Sequence, residues 1–250
     1  MNRTAAPPGD HELHVAAVRE AGALALRYFV GSVKSWEKAP GDPVSEADLA
    51  VDALLREHLM GPRPGYGWLS EESEDDGSRR GDAPVWIVDP IDGTRAFLRK
   101  RPEFSVSVAL VKGGRPVAAA VFNPATDELF EAEVDRGARL NGDPTRVSAQ
   151  ENVAGATLIA NRRVFLWSPG AAAAEFQFVN SMAYRMALVA AGRADATLSM
   201  SAKSDWDVAA ADLIVREAGG LVTTANGAAL AFDNDHVTHA SILAAGPALH

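Results

Sequence analysis

The 250-residue sequence contains no cysteine. Disulfides, thiolate metal sites and cysteine nucleophiles are therefore excluded. The absence is compatible with a reducing compartment, and a cytoplasmic location is expected. Positive charge is also scarce: 24 Lys and Arg stand against 33 Asp and Glu, a formal net charge of -9. Nucleic-acid binders carry a basic patch or stripe. The short basic run here, Arg99, Lys100 and Arg101, reads as a solvated loop, so no nucleic-acid polymer is expected as a partner. Long apolar runs are missing too. The stretch 21–30 is broken by Arg27, follows Arg19 and Glu20, is too short to span a bilayer and shows no secretory pattern. An acidic chain repels anionic substrates unless bound cations reverse the local potential.

What remains is ordinary globular material, 47% hydrophobic and 23% charged, enough for one large domain or two closely packed subdomains. Residues 1–10 read as a loose tail. Val15, Val18, Ala25, Leu26 and Phe29 recur at helical spacing, with Gly22 on the same face weakening the helix or admitting a close neighbour. A second helix begins near Ser45, where Ser45 and Asp48 form a capping-box pair, and ends at Gly61, Pro62 and Pro64. Residues 67–70, 85–88, 104–111, 117–122 and 128–133 read as strands, with a hairpin turn at Gly113 and Gly114. That predicts helices covering an antiparallel sheet. Further on, a helix at 182–191, a strand at 195–199, a helix at 206–218 and a strand at 221–223 alternate in the α/β manner. Two subdomains, 11–150 and 151–250, are expected to form one compact unit, with a ligand site where they meet.

Acids concentrate at three rigid places. Glu71 and Glu72 directly follow the strand ending in Ser70. Asp89 and Asp92 follow the buried strand 85–88. Asp205 and Asp207 open a helix. Alone, a Glu-Glu pair reads as exposed loop and an Asp-x-Asp as a helix cap. In combination they predict convergence across a cleft. Pro90 removes a donor and is expected to halt sheet pairing, and Asp92-Gly93-Thr94 opens a short helix whose first amides suit a phosphate. Two carboxylates about 4 Å apart repel by about 4 kcal/mol at an effective dielectric near 20. Protonation or a cation must relieve that, and all-oxygen ligation favours Mg2+, with Mn2+ or Ca2+ as alternatives.

The segment Trp86-Ile87-Val88-Asp89-Pro90-Ile91-Asp92-Gly93-Thr94 resembles the signature of the inositol monophosphatase superfamily. Ser204-Asp205-Trp206-Asp207-Val208-Ala209-Ala210, followed by Glu217-Ala218-Gly219-Gly220, resembles its second signature. Ser70-Glu71-Glu72 resembles its acidic pair, Asp42-Pro43-Val44-Ser45-Glu46-Ala47-Asp48 its upstream element, and Lys38 stands where the family often has a basic residue. The resemblance spans residues 12–245. It implies a layered α/β/α/β/α sandwich, of mixed α+β and α/β character, and two to three Mg2+ ions, with Mn2+ as a substitute. Glu71, Asp89 and the Ile91 carbonyl would hold the first ion, Asp89, Asp92 and Asp207 the second, and Glu71 would help with a third. Gly93, Thr94 and Asp92 would flank the phosphate. Glu71 would orient or deprotonate the attacking water, with Thr94, supported by Asp48, as the competing candidate. Lithium inhibition and a homodimer are further implications of the resemblance.

The leaving alcohol is less constrained. Thr94-Arg95-Ala96-Phe97-Leu98 and residues 103–110 look closer to the 3'(2'),5'-bisphosphate nucleotidase branch, which removes the 3'-phosphate of adenosine 3',5'-bisphosphate. Inositol 1-phosphate and histidinol phosphate are the alternatives. Arg95, with Lys100 and Arg101 close by, is a candidate for a second phosphate. Ser204 and Asp205 are candidates for the leaving-group pocket, while Asp42 and Glu72 carry no definite role. A non-catalytic protein of the same fold is the rival reading, and it predicts loss of an acid. All of Glu71, Asp89, Asp92 and Asp207 are present.

Overall fold

The computed structural model describes residues 5–165, 170–232 and 236–250. Helix α1 (Asp10–Val30) leads into a hairpin of β1 (Ser35–Ala39) and β2 (Asp42–Ser45), then helix α2 (Glu46–Met60). The chain is ordered into a helix earlier than the loose tail expected over residues 1–10. Asp10 is buried at the start of α1 and accepts from Arg63 Nε at 2.6 Å and from the Tyr66 hydroxyl at 2.7 Å. A carboxylate there also complements the helix dipole. The capping box of α2 forms as expected, with Ser45 Oγ accepting from the Ala47 amide and Asp48 accepting from the Ser45 amide at 2.9 Å.

A seven-stranded sheet follows, its strands adjacent in chain order: β3 (Gly67–Ser70), β4 (Val85–Asp92), β5 (Ser105–Lys112), β6 (Arg115–Asn123), β7 (Glu128–Glu133), β8 (Ala138–Leu140) and β9 (Asp143–Thr145). The short helix α3 (Thr94–Leu98) interrupts it after β4. The expected antiparallel sheet needs one correction, because β3 and β4 run parallel. Parallel neighbours need a crossover of about a dozen residues, and the loop between Ser70 and Val85 supplies it. Strands β8 and β9, three residues each, were too short to leave a period in the sequence.

The remaining elements are β10 (Thr157–Ala160), β11 (Glu175–Gln177), α4 (Met182–Ala190), β12 (Ala196–Ser199), β13 (Lys203–Ser204), α5 (Asp205–Glu217), β14 (Leu221–Thr223), β15 (Thr238–His239) and β16 (Ile242–Ala245). A second, five-stranded sheet has the order β11-β10-β12-β16-β14, with β16 antiparallel to both neighbours. Alternation along the strands of the first sheet sorts its side chains into two faces. Trp86, Val88, Val106, Val108 and Leu110 pack with Val18, Ala21, Val51 and Leu55 under α1 and α2. Ile87, Ala109, Val121 and Phe130 pack with Met186, Ala187, Ala210 and Ile214 of α4 and α5. The same helices bury Ile159, Val222, Ile242 and Ala244 of the second sheet. Leu158, Leu198 and Ala245 on that sheet's outer face meet Ala171 of a 3-10 turn. The order is α/β/α/β/α, as the resemblance implied, with 3-10 turns at Arg162–Phe165 and Ala171–Ala173 on the outer side.

Gly22 has the close neighbour its position suggested: a Cβ there would lie 2.3 Å from the Phe122 ring. Gly22→Ala gains about 1 kcal/mol in helix propensity but overpacks a buried contact at about 1–3 kcal/mol. A lowered thermal midpoint with unchanged far-UV circular dichroism is the expected result, and a raised midpoint would contradict this packing.

Candidate active site

The site is built around the end of β4. Pro90 does not stop the strand, as had been expected. Pairing runs to Asp89 opposite Ser107 and resumes at Asp92 opposite Ser105, with a bulge between. The missing proline donor is absorbed by the bulge. The bulge has a second effect. Residues three apart in a regular strand point to opposite faces, yet Asp89 and Asp92 here offer carboxylate oxygens to the same place, joined by Asp207 from the first turn of α5. Oxygens of all three lie within 4.8 Å of one another.

Each acid is fixed by its own scaffold. Asp89 Oδ1 accepts from the Ile91 amide at 3.1 Å. Asp92 Oδ2 accepts from Ser181 Oγ and from the Ala183 amide, both at 2.6 Å, where α4 begins. Asp207 Oδ2 accepts from the Ser204 amide at 2.7 Å. Asp89 Oδ2 is buried without a hydrogen-bond partner, which costs free energy unless something else meets it. Glu71 is not part of this tight group. Lys38, from the β1–β2 hairpin, donates to Glu71 at 3.1 Å and to Glu72 at 2.8 Å. Thr94 Oγ1 lies 3.1 Å from both Asp48 Oδ1 and the Ile91 carbonyl, so its single hydrogen serves one of them at a time.

The electrostatics follow from burial and crowding of like charge. Burial, then the charge of Glu71 and of Asp92, raises the Asp89 carboxyl well above the usual range. Burial also raises Asp92. Asp207 is pushed up to about 7 by burial and then by Asp92. Glu71 reaches about 7 through burial, with Lys38 opposing and Glu72 and Asp92 adding. Burial alone would lower the Lys38 ammonium, but Glu72 and Glu71 together raise it. An all-oxygen donor set with one orphaned carboxylate oxygen and raised pKa values fits a hard divalent cation such as Mg2+.

Above these acids lies a cavity of about 670 Å3. Its lining includes Glu71, Asp89, Asp92, Gly93, Thr94, Ser204 and Asp207, all expected from the sequence, together with Lys38, Asp42 and Arg95. Gly93 adopts φ 97° at the N-cap of α3, and a Cβ there would lie 2.9 Å from the Glu103 carbonyl. Only glycine fits that turn comfortably. The amides of Thr94 and Arg95 then have no intrahelical acceptor.

Other expected residues lie elsewhere. Asp205 is buried away from the cavity lining, 2.9 Å from His239 Nε2, which corrects its placement in the leaving-group pocket. Lys100 is not a substrate cation either: it caps the end of α1, donating to the Gly31 carbonyl at 2.6 Å and to that of Phe29. Arg101 pairs with Glu103 at 2.8 Å. Asp48 and Glu72 support the lining residues Thr94 and Lys38 from behind.

Several contributors escaped the sequence reading. Ser181, the residue before helix 182–191, grips Asp92. Asp52 accepts from Ser70 Oγ, and from Ser73 Oγ at 3.1 Å, anchoring the loop that carries Glu71. Its spacing of four from Asp48 on an otherwise apolar helix face was the available signal. Arg185 and Lys203 bring positive charge to the cavity wall.

Comparison with known proteins agrees with this geometry. Residues 11–250 match the model of the inositol monophosphatase family. The inositol-1-monophosphatase of Rhizobium meliloti is 40% identical over 231 residues, 85% of this chain and 84% of that protein. Nus factor SuhB of Escherichia coli is 34% identical over 229 residues, with 85% and 84% covered. Among solved structures, the extragenic suppressor protein SuhB of Bartonella henselae superposes with a TM-score of 0.84 at 32% identity, covering 95% of this chain and 93% of that one. The IMPase of Thermotoga maritima gives 0.83 at 28% identity, covering 95% and 92%. With its carboxylates gathered at the cavity and residues 11–250 matched, the chain belongs to the inositol monophosphatase family, whose members are magnesium-dependent phosphatases.

Proposed function

We propose that this cavity hydrolyses a small phosphate monoester, with Asp89, Asp92, Asp207, Glu71 and the Ile91 carbonyl holding two to three Mg2+ ions. The observation that carries the reading is the three-aspartate group, with Asp89 and Asp92 buried and one Asp89 oxygen unpartnered, set at a cavity bordered by the first turn of α3. When bound, Mg2+ supplies Lewis-acid chemistry, neutralising the carboxylates, polarising phosphate oxygens and acidifying water. The chain's own residues do the rest. The amides at Gly93 and Thr94 orient the phosphate. Glu71, steadied by Lys38 beside the acids, orients or deprotonates the attacking water. Thr94 hydrogen-bonded to Asp48 is the competing acceptor route. Lys38 steadies Glu71 and draws an anion toward an otherwise acidic surface.

Inositol 1-phosphate is the substrate favoured by the names of the Rhizobium meliloti and Mesorhizobium japonicum relatives, 40% and 37% identical. A 3',5'-bisphosphate nucleotide is the second reading, favoured by Arg95 on the cavity wall. Phosphate release from inositol 1-phosphate, adenosine 3',5'-bisphosphate, histidinol phosphate and fructose 1,6-bisphosphate, with and without Mg2+, separates them. Magnesium-dependent release is expected, inhibited by lithium. No release from any ester with metal bound would revive the non-catalytic reading.

A further inference from the structure

Arg185 projects from α4 to the cavity wall and is only partly exposed. Its Nε donates to the Val179 carbonyl, which leaves the other four N–H groups of the guanidinium to be satisfied. Among the described residues no carboxylate forms an ion pair with it. Burial lowers its pKa, and the negative charge of Asp92 is what opposes this. Arginines taken out of water ordinarily carry a carboxylate partner, so an unpaired one facing a ligand cavity calls for an anion from outside.

The surroundings hold it in that place. Phe178 is 64% exposed yet sits beside two guanidinium groups, Arg185 Cζ at 5.7 Å and Arg101 Cζ at 6.0 Å from its ring centre. The ring braces Arg185 through cation–π attraction. Lys203 also faces the cavity, but it is drawn electrostatically to the acids, lowering Asp92 and Asp207. Arg95 is exposed and already donates to the Gly41 carbonyl. Arg185 is thus a half-buried wall cation with four N–H groups left to offer and, among the described residues, no ion-pair partner, whereas Arg95 is exposed.

We propose that Arg185 forms an anion subsite for the leaving group, so that the preferred substrates are phosphate esters whose alcohol carries a second phosphate. The proposal rests on the phosphatase reading above and, within it, favours the bisphosphate substrate over inositol 1-phosphate, with Phe178 as a positioning residue. The test compares substrates that differ by one phosphate: adenosine 3',5'-bisphosphate against adenosine 3'-phosphate, and inositol 1,4-bisphosphate against inositol 1-phosphate. A charged hydrogen bond to phosphate corresponds to about a tenfold to hundredfold preference, so the wild-type protein should favour the doubly phosphorylated member of at least one pair by that factor in kcat/KM. Arg185→Gln should bring the ratio toward one, mainly through KM, and Arg185→Lys should keep part of it. A loss of stability alone would lower both members together and leave the ratio intact. Equal wild-type rates within both pairs would overturn the subsite, as would a preference that survives Arg185→Gln or disappears only in Arg95→Gln. Absence of turnover with every ester would instead count against the phosphatase reading. Calorimetric titration of the same pairs in Mg2+ would still read the ratio, and equal affinities there would overturn the subsite on its own.

Discussion

Asp89→Asn should lower magnesium-dependent phosphate release by about a thousandfold or more, on the scale of losing a preorganised electrostatic contact to a transition state, and should at the same time stabilise the metal-free protein at pH 8. The two effects share one cause. Asp89 is 1% exposed, one of its oxygens has no partner, and Glu71, Asp92 and Asp207 all oppose its ionisation. That arrangement is costly by itself and useful around a cation. Asparagine has nearly the same shape, and its carbonyl oxygen can still accept from the Ile91 amide that now binds Asp89 Oδ1, so the bulge at Pro90 should survive. Phosphate release and a thermal melt in EDTA, on the same preparation, check both halves. Near wild-type activity would remove Asp89 from the proposed metal site. Lost activity with a lowered metal-free midpoint would point to a structural role instead.

The acids were legible in the sequence because each follows a strongly patterned element. Val85–Val88 is a continuous apolar run, and Asp207 opens a helix with clear periodicity, so the positions of Asp89 and Asp207 could be placed before their distance was known. What sequence could not convey was the bulge. Pro90 signals a disturbed ladder, but a terminated strand and a bulged one carry the same signal, and only the pairing of Asp92 with Ser105 decides between them. Asp205 shows the same limit from the other side. It belongs to the same short acidic motif as Asp207, yet a helix turns residues two apart about 200° from each other, which sends Asp205 to His239 and Asp207 to the cavity. The interior strand β16 was invisible for a different reason. Ile242–Ala245 is a four-residue apolar stretch whose place in the sheet depends on pairing with β12 and β14, distant in sequence. Arg185 carries no local signature in the sequence, because it is a lone cation within the mostly apolar helix Met182–Ala190.

The pH dependence of metal-free stability should run downward where most proteins are flat. Glu71 rises from 4.5 to about 7 and Asp207 from 3.8 to about 7 in the folded chain. Between those limits the native state holds protons that the unfolded chain has released, so each rise in pH favours unfolding. The stability is fully present below about pH 4 and is lost as pH climbs to about 7, on the order of 3 kcal/mol for such a group taken alone. The groups are neighbours and will not add. His14 acts the other way, because burial lowers it from 6.5 to about 4: it favours unfolding as pH falls through that window. It lies on α1, against Trp86, and is not among the residues lining the cavity. A cation bound to the acids replaces their protons. The shift in thermal midpoint produced by saturating Mg2+, measured against EDTA at each pH, therefore isolates the acid cluster and should grow from pH 5 to pH 7.5. A magnesium shift of equal size across that range would mean that the carboxylates are already ionised in the folded chain and that their crowding is relieved by something other than a cation.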